Sequence, residues 1–172
     1  MTKDRLKKGR EKKAVIDSVT TAIRHILNMP DDGNKIIVHH KKLLLGQMIW
    51  MFTEADGLTT EGKRTNYKYK LTYISEGTKK RRDKSGEDSK NYIKGLRHEH
   101  VHMKNELIKK LLAKPKNVDA ILKKAIGCVV TKKEHDSLTH KDCDGWKRYK
   151  KAKIRVWNTR TNKWKIDTKD YI

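Results

Sequence analysis

Apolar residues near the start of the chain follow the spacing of one helix face. They occupy positions 15, 19, 22, 23, 26 and 27, and a Pro-Asp-Asp-Gly sequence at 30–33 ends the pattern. A helix over about residues 11–28 is therefore predicted. The next apolar stretch, 36–52, is expected to contribute to the core. Its early part, KIIV, is typical of a strand, and its later part is typical of a helix.

The middle of the chain changes from alternating to uniformly polar residues. Tyr67, Tyr69, Leu71 and Tyr73 alternate with polar side chains, which predicts a strand. Residues 77–90 contain glycines and serines but no apolar side chain. A mobile surface loop is predicted there.

Two helices are predicted after residue 103. Leucine and isoleucine residues at 107–112 predict a helix that ends near Pro115. Asn117 is placed to cap a second, short helix over 118–122.

A strand followed directly by a helix is predicted next. Residues 127–130 have the pattern of a buried strand. Thr131 and Glu134 then have the spacing of a capping box, in which the two side chains bond to each other's backbone N–H groups. This predicts a helix over 132–139 with His135 in its first turn.

The carboxyl-terminal region predicts a short helix and a hairpin. Residues 145–152 form the helix, and 153–167 form two strands around a turn at 158–162. Trp157 and Trp164 lie nearly symmetrically about this turn. Either one can stack on nucleic-acid bases or pack in a core.

The charge of the chain indicates a polyanionic partner. Lysine and arginine number 43 against 21 aspartate and glutamate residues, which gives a net charge of +22 over 172 residues. So large an excess repels itself in a compact protein and is relieved by phosphates. DNA is the expected partner, with RNA kept as an alternative.

Hydropathy, the start of the chain and the cysteine content predict the cellular compartment of the protein. No apolar run approaches the ~20 residues that span a bilayer, and the basic start of the chain does not resemble a secretory signal. Cys128 and Cys143 are too few for a four-cysteine zinc site and are interpreted as reduced thiols. These features predict a cytoplasmic protein, bacterial or from a virus-infected host, with no membrane partner.

The densest group of candidate chemical residues is the sequence Arg-His-Glu-His-Val-His at 97–102. On a helix, His98, Glu99 and His102 would form the HExxH motif of a zinc peptidase, with Glu99 activating water. On a strand, His98, His100 and His102 would share one face, and Glu99 would lie on the other. The strand is the preferred interpretation, because charged residues surround the motif and a peptidase has no evident use for a cationic surface.

The strand interpretation gives the chain a resemblance to a nuclease family. Glu99 and His100, then the strand 127–131, then the helix that carries His135 follow the order of the ββα-metal fold of the His-Asn-His (HNH) endonucleases. The segment VVTKKEHDSLTH at 129–140 is similar to the nuclease domain of the DNase colicins. The resemblance covers about residues 96–140 and departs from the family in lacking the usual proline after the first pair.

The resemblance implies a role for each matching residue. His100 would be the general base, and Glu99, His135 and His140 would hold a divalent ion such as Mg²⁺, Mn²⁺ or Zn²⁺. His98 and His102 are additional candidates, and Asn117 is a weak match to the central asparagine of the family. The implied activity is metal-dependent hydrolysis of DNA in restriction, phage or mobile-element processes.

The expected architecture is an α+β fold in three parts. A basic region, 1–95, is followed by the ββα-metal core, 96–140, and by a basic helix and hairpin, 141–172. The oligomeric state stays open, with a homodimer as one option. The expected phosphate contacts are Arg81, Arg82, Lys147, Arg148, Lys150 and Lys151.

Two alternatives stay open beside the nuclease. A basic protein that binds nucleic acid without cleaving it would carry the same charge. The HExxH zinc peptidase is the less favoured of the two.

Overall fold

A computed structural model of the chain describes residues 3–55, 69, 71–86, 90–139 and 142–171, with side chains described from residue 12 onward except at 90 and 91. The helices are α1 Lys3–Asn28, α2 Lys35–Thr53, α3 Glu76–Ser85, α4 Lys90–Ile93, α5 Lys104–Ala113, α6 Val118–Leu122, α7 Lys132–Ser137 and α8 Trp146–Lys151. The strands are β1 Tyr73–Ser75, β2 Leu96–His100, β3 Gly127–Thr131, β4 Val156–Asn158 and β5 Lys163–Ile166. Short 3₁₀ turns occupy Pro115–Asn117 and Thr168–Asp170.

These elements form two compact units. The helical unit contains the described residues of 1–65 and 103–125, and the sheet unit contains those of 66–102 and 126–171. The α5–α6 segment is therefore an insertion between β2 and β3, which both belong to the sheet unit. This division differs from the predicted parts 1–95, 96–140 and 141–172, because the apolar faces of α5 and α6 pack with α1 and α2.

The helical unit is held together by the apolar faces of its four helices. Val19 and Ile23 of α1 and Leu45 of α2 are buried in one cluster with Leu107 and Leu111 of α5. Burial of each such side chain contributes about 1.5–3 kcal/mol. The helix predicted over 11–28 is confirmed, and α1 extends further toward the amino terminus.

The described strands form one five-stranded mixed sheet in the order β2-β3-β1-β4-β5. β1 and β3 are parallel, and the other neighbouring pairs are antiparallel. Successive residues of a strand face opposite sides, so β3 contributes to two cores. Cys128 and Val130 pack with Tyr149, while Val129 packs with Leu96 on the other side. The α+β class is confirmed.

Helix α3 corrects the prediction of a mobile loop over 77–90. The Ser75 hydroxyl accepts a hydrogen bond from the Thr78 N–H and caps the helix, and Gly86 ends it at a φ of 76°. Lys79 and Asp83 pair four residues apart along its surface. A charged helix without an apolar face lacks the periodic pattern on which sequence prediction depends. Residues 87–89 lie outside the described part of the chain.

Two predicted strands are also corrected. The KIIV segment belongs to α2, whose amino terminus is capped by the Asn34 side chain through the N–H groups of Ile36 and Ile37. The alternating tyrosines predicted a strand over 67–73, but β1 begins only at Tyr73. Residues 67, 68 and 70 lie outside the described part.

Glu134 joins the two parallel strands and the helices that follow them. Its carboxylate completes the predicted capping box by accepting the Thr131 N–H at 2.9 Å. It also accepts the Ser75 hydroxyl at 2.5 Å and the Gly77 N–H at 3.0 Å. A Cβ at Gly77 would come within 2.9 Å of this carboxylate, so glycine gives the carboxylate its access to α3. This network fixes the start of α7 against β1 and α3.

The remaining predicted elements of the second half are confirmed. Helices α5, α6 and α8, strand β3 and the β4–β5 hairpin lie where the sequence places them. Asn117 stands at the start of α6 but makes no side-chain capping bond. Among the described residues, no helix is both long and apolar enough to cross a membrane.

Candidate functional site

The candidate site begins with the pairing of β2 and β3. The two strands run antiparallel, with Leu96 opposite Thr131 and His100 opposite Gly127. Because α7 starts at the residue after β3, this register brings the helix alongside β2. The order strand, strand, helix expected for residues 96–140 is present, with α5 and α6 between the two strands.

Glu99 and His135 meet across this arrangement. The Glu99 Oε2 and His135 Nδ1 atoms are 2.8 Å apart. The Glu99 side chain is only 13% exposed, whereas the His135 side chain is 44% exposed. A carboxylate accepts hydrogen bonds, so Nδ1 is the donor and Nε2 remains the second ring nitrogen with acceptor capacity. The pair thus joins a nearly buried anion to an imidazole that reaches solvent.

Arg148 of α8 holds the other side of the Glu99 carboxylate. Its Nη2 atom lies 3.0 Å from Glu99 Oε1 and donates to the Leu138 carbonyl at 2.8 Å. Its Nη1 atom donates to the His100 carbonyl at 3.2 Å. Arg148 is buried, so its guanidinium braces β2, α7 and α8 inside the protein. This placement corrects the prediction of Arg148 as a surface phosphate contact.

His98 and His100 face the other side of β2. Their rings stack with centroids 5.2 Å apart and planes 15° apart. Gly127 makes room for them, because a Cβ there would lie 2.5 Å from His98 Nε2. The His100 ring is therefore not on the Glu99 side of the sheet. Its backbone, at the end of β2, is tied to Arg148.

His102 lies beyond the end of β2 and pairs with Asp144. Its Nδ1 atom is 2.9 Å from Asp144 Oδ2, and its ring rests on Gly145, where a Cβ would come within 2.7 Å. His98 and His102 thus have different neighbours, and the backbone between them is a strand followed by a bend. The zinc-peptidase alternative needs both histidines on one helix face, so the structure overturns it.

The donor set at Glu99 and His135 fits a divalent ion with few protein ligands. Mg²⁺ is commonly bound through one or two carboxylates together with substrate phosphates, Mn²⁺ also suits carboxylate ligands, and imidazole suits Zn²⁺. Among the described residues no group of three or more histidine, cysteine or acidic side chains is placed to hold an ion. His140, the predicted third ligand, lies outside the described residues. Asn117 belongs to the helical unit.

The Cys128 thiol and the Tyr149 hydroxyl, in the core near the site, are not expected to react or to bind a metal. Burial raises the pKa of the Cys128 thiol and the pKa of the Tyr149 hydroxyl. Both groups are therefore protonated at neutral pH. A thiolate nucleophile or thiolate metal ligand at Cys128 is accordingly not expected.

The other predicted phosphate contacts differ in their exposure and in the groups to which they are bonded. Arg81 is exposed and donates to the Lys94 carbonyl, and Arg82 lies 3.8 Å from Asp83. Lys147 is exposed. Lys150 and Lys151 pair with Asp170 and Asp142. The hydrogen bond to Asp142 raises the pKa of Lys151. Exposed pairs of this kind are weak and can be exchanged for phosphate contacts.

Sequence reasoning missed three of these relationships. Arg148 was one basic residue among many, Asp144 is 42 residues from His102, and Glu134 was assigned only its local cap. Each depends on contacts between distant parts of the chain, so no local spacing could reveal it.

Comparison with known proteins gives no match. No family model, curated protein or solved structure shows a significant similarity to the chain.

Proposed function

We propose that the chain is a metal-dependent endonuclease that hydrolyses DNA phosphodiester bonds, with an HNH-like core formed by β2, β3 and α7. The observation that carries this proposal is the 2.8 Å contact between Glu99 Oε2 and His135 Nδ1. It joins a carboxylate on the first strand to a histidine in the first turn of the following helix. That is the pairing expected from the HNH resemblance.

Glu99 and His135 are the proposed ligands of the divalent ion. When bound, such an ion supplies positive charge against the scissile phosphate and the leaving oxygen. Arg148 positions Glu99 by holding Oε1, so that the opposite oxygen faces His135. His135 is exposed enough to meet a phosphate from solvent. Because Nδ1 of His135 donates to Glu99, an ion held by both side chains would take the place of this hydrogen bond.

His100 remains the proposed general base. Its ring faces the opposite side of β2 from Glu99, but β2 ends at this residue. In this role His100 would take a proton from the attacking water as the water oxygen bonds to phosphorus and the bond to the leaving oxygen breaks.

The basic surface supports DNA as the substrate. A net charge of +22 attracts the phosphate backbone without regard to sequence. The proposed nuclease should therefore bind DNA strongly at low salt and release it as salt rises.

Nicking of a supercoiled plasmid tests the proposal. The wild type and the variants Glu99→Gln, His135→Asn and His100→Asn are incubated with Mg²⁺, Mn²⁺ or Zn²⁺ in turn. We expect nicking by the wild type and losses of at least about 100-fold in each variant, the scale of general acid–base catalysis. His25→Asn, an exposed change on α1, is the matched control and should retain full activity.

The outcome also separates the nuclease from a protein that only binds. An intact plasmid with every metal, together with salt-sensitive DNA binding, would favour the non-catalytic alternative. Circular dichroism spectra of all the proteins must agree, so that a loss of activity is not a loss of fold.

A further inference from the structure

A concave surface of about 490 Å³ lies between α5 and α6 in the helical unit. We call it the α5–α6 groove. Lys110 borders it from the last turn of α5, and Lys114 and Lys124 border it from the segments that follow α5 and α6. Ala120 and Ile121 form part of its apolar lining. The groove therefore combines a cationic rim with an apolar floor.

The ends of the two helices bring these residues to one surface. Lys110 lies in the last turn of α5, and the N–H of the C-cap residue Lys114 donates to the Lys110 carbonyl. Ala120 and Ile121 lie in α6, and the N–H of Lys124, just after this helix, donates to the Ile121 carbonyl at 3.0 Å. The short turn Pro115–Asn117 joins α5 and α6 at one end of the groove.

The acidic residues of α5 and α6 are paired and do not themselves line the groove. Asp119 bonds to Arg24 at 2.6 Å, and Glu106 bonds at 2.7 Å to Lys109, a fourth lysine of the groove lining. The lining of the groove includes no carboxylate. Lys110, Lys114 and Lys124 form no ion pair with any described acid, so their charges are left for an external anion.

Asn117 adds a polar group to the same surface. It stands at the start of α6, but its side chain does not cap the helix. Its amide can both donate and accept hydrogen bonds. An anion held by the lysines would find a directional partner here.

We infer that the α5–α6 groove binds the phosphate backbone of a nucleic acid, as a second contact surface separate from the Glu99–His135 pair. Three cations along a groove match a chain of regularly spaced phosphates better than they match a single anion. The apolar floor suits the sugars between those phosphates. This binding site does not depend on whether the chain cleaves DNA.

The test compares two triple variants of equal charge. Lys110→Gln, Lys114→Gln and Lys124→Gln are combined in the full chain, and Lys84→Gln, Lys163→Gln and Lys169→Gln form the control. The control lysines are exposed and lie in the sheet unit. Fluorescence anisotropy with a labelled 20-base-pair duplex is recorded over a KCl series.

We expect the groove variant to lose at least about 10-fold in affinity. The slope of the logarithm of the binding constant against the logarithm of the KCl concentration should also become less negative by about 2–3, because each phosphate contact contributes about −0.9. The control should lose less than about 3-fold. Equal losses in both variants would overturn the inference, because net charge alone would then account for binding. Agreement of the circular dichroism spectra shows that both variants are folded.

Two further measurements identify the anion and distinguish a failure of the groove inference from a failure of the nuclease proposal. Inorganic tripolyphosphate should displace the duplex only weakly, and displacement at stoichiometric concentration would contradict a backbone site. If the plasmid stays intact but the groove variant alone loses affinity, the groove inference stands and the nuclease proposal fails.

Discussion

Two sets of charged side chains, one in each unit, have opposite surroundings. In the sheet unit, Glu99, Glu134 and Arg148 point into the fold and are bonded to groups from several elements. In the helical unit, Lys110, Lys114 and Lys124 of the α5–α6 groove are exposed and have no carboxylate partner among the described residues. The first set organises structure, whereas the second set is available for binding.

Net charge alone does not identify a functional residue. Arg148 and Lys114 contribute equally to the excess of +22. One is buried in a network around Glu99, and the other is exposed beside a groove. Substitutions in the two sets of residues should therefore affect different measurements, namely stability for the buried network around Glu99 and affinity for the groove lysines.

The largest effect on stability is expected for Arg148→Met. The change leaves the nearly buried Glu99 carboxylate without its cation and the carbonyls of His100 and Leu138 without a donor. Breaking a buried pair from one side costs about 3–5 kcal/mol, so we expect the free energy of unfolding in urea to fall by about 3 kcal/mol. Lys147→Met, an exposed change next to it, should stay within about 0.5 kcal/mol. Equal losses of stability in the two variants would show that the contacts of Arg148 do not stabilise the fold.

Glu134→Ala should have the next largest effect. It removes the acceptor of the Gly77 N–H, the Ser75 hydroxyl and the Thr131 N–H. Unsatisfied donors and a lost cap together should lower the free energy of unfolding by about 2–3 kcal/mol. Urea denaturation measures this, with the exposed Asp136→Ala on the same helix as the control. A loss no larger than that of the control would show that the network is not structural.

Gly127→Ala tests the space beneath the stacked histidines. The new methyl group would lie 2.5 Å from His98 Nε2 and 2.8 Å from Leu71 Cδ1. Overpacking of this kind costs about 1–3 kcal/mol in the free energy of unfolding. Adding His98→Ala should recover part of that loss. If the two effects simply add in a double-mutant cycle, the proposed close approach is refuted.

Lys41 and Asp31 form a partly buried ion pair within the helical unit, and loss of this pair should have the smallest effect on stability. Lys41 Nζ lies 2.7 Å from Asp31 Oδ2, and this hydrogen bond, with one from the Gly33 N–H, lowers the pKa of Asp31. A carboxyl with a lowered pKa in the folded protein contributes stability above its ordinary pKa. That contribution is lost as the pH falls through the folded-state pKa.

Thermal unfolding from pH 7 to pH 2 checks this pH dependence. The midpoint of Asp31→Asn should lie below that of the wild type at pH 7, and the difference should shrink toward zero under acid conditions. A difference that stays constant over the whole range would exclude the ionised Asp31 as its source.

Local patterns predicted the elements whose signals lie within a few residues. Alternation of side chains predicted β2, and a short run of apolar residues predicted β3. The spacing of Thr131 and Glu134 predicted the capping box at the start of α7. The hairpin was also predicted, and Trp157 and Trp164 are paired across it with ring centroids 5.0 Å apart. The contact between Glu99 and His135 followed from placing these elements in order.

The remaining features depend on groups that are distant in sequence. Helix α3 contains no apolar face, and its stability is aided by the Glu134 carboxylate, 57 residues away from Gly77. The inward direction of Arg148 results from acceptors on β2 and at the end of α7. The groove requires α5 and α6 to fold back on one another, which the positions of their lysines do not specify.

NMR of the imidazole resonances during a Mn²⁺ titration tests whether Glu99 and His135 share one divalent ion, because a paramagnetic ion broadens the signals of its nearest ligands first. The His135 signal should broaden at the lowest Mn²⁺ concentration, before that of the exposed His25, and Glu99→Gln should abolish this preference. Equal broadening of His135 and His25, in the wild type and the variant alike, would exclude a shared ion.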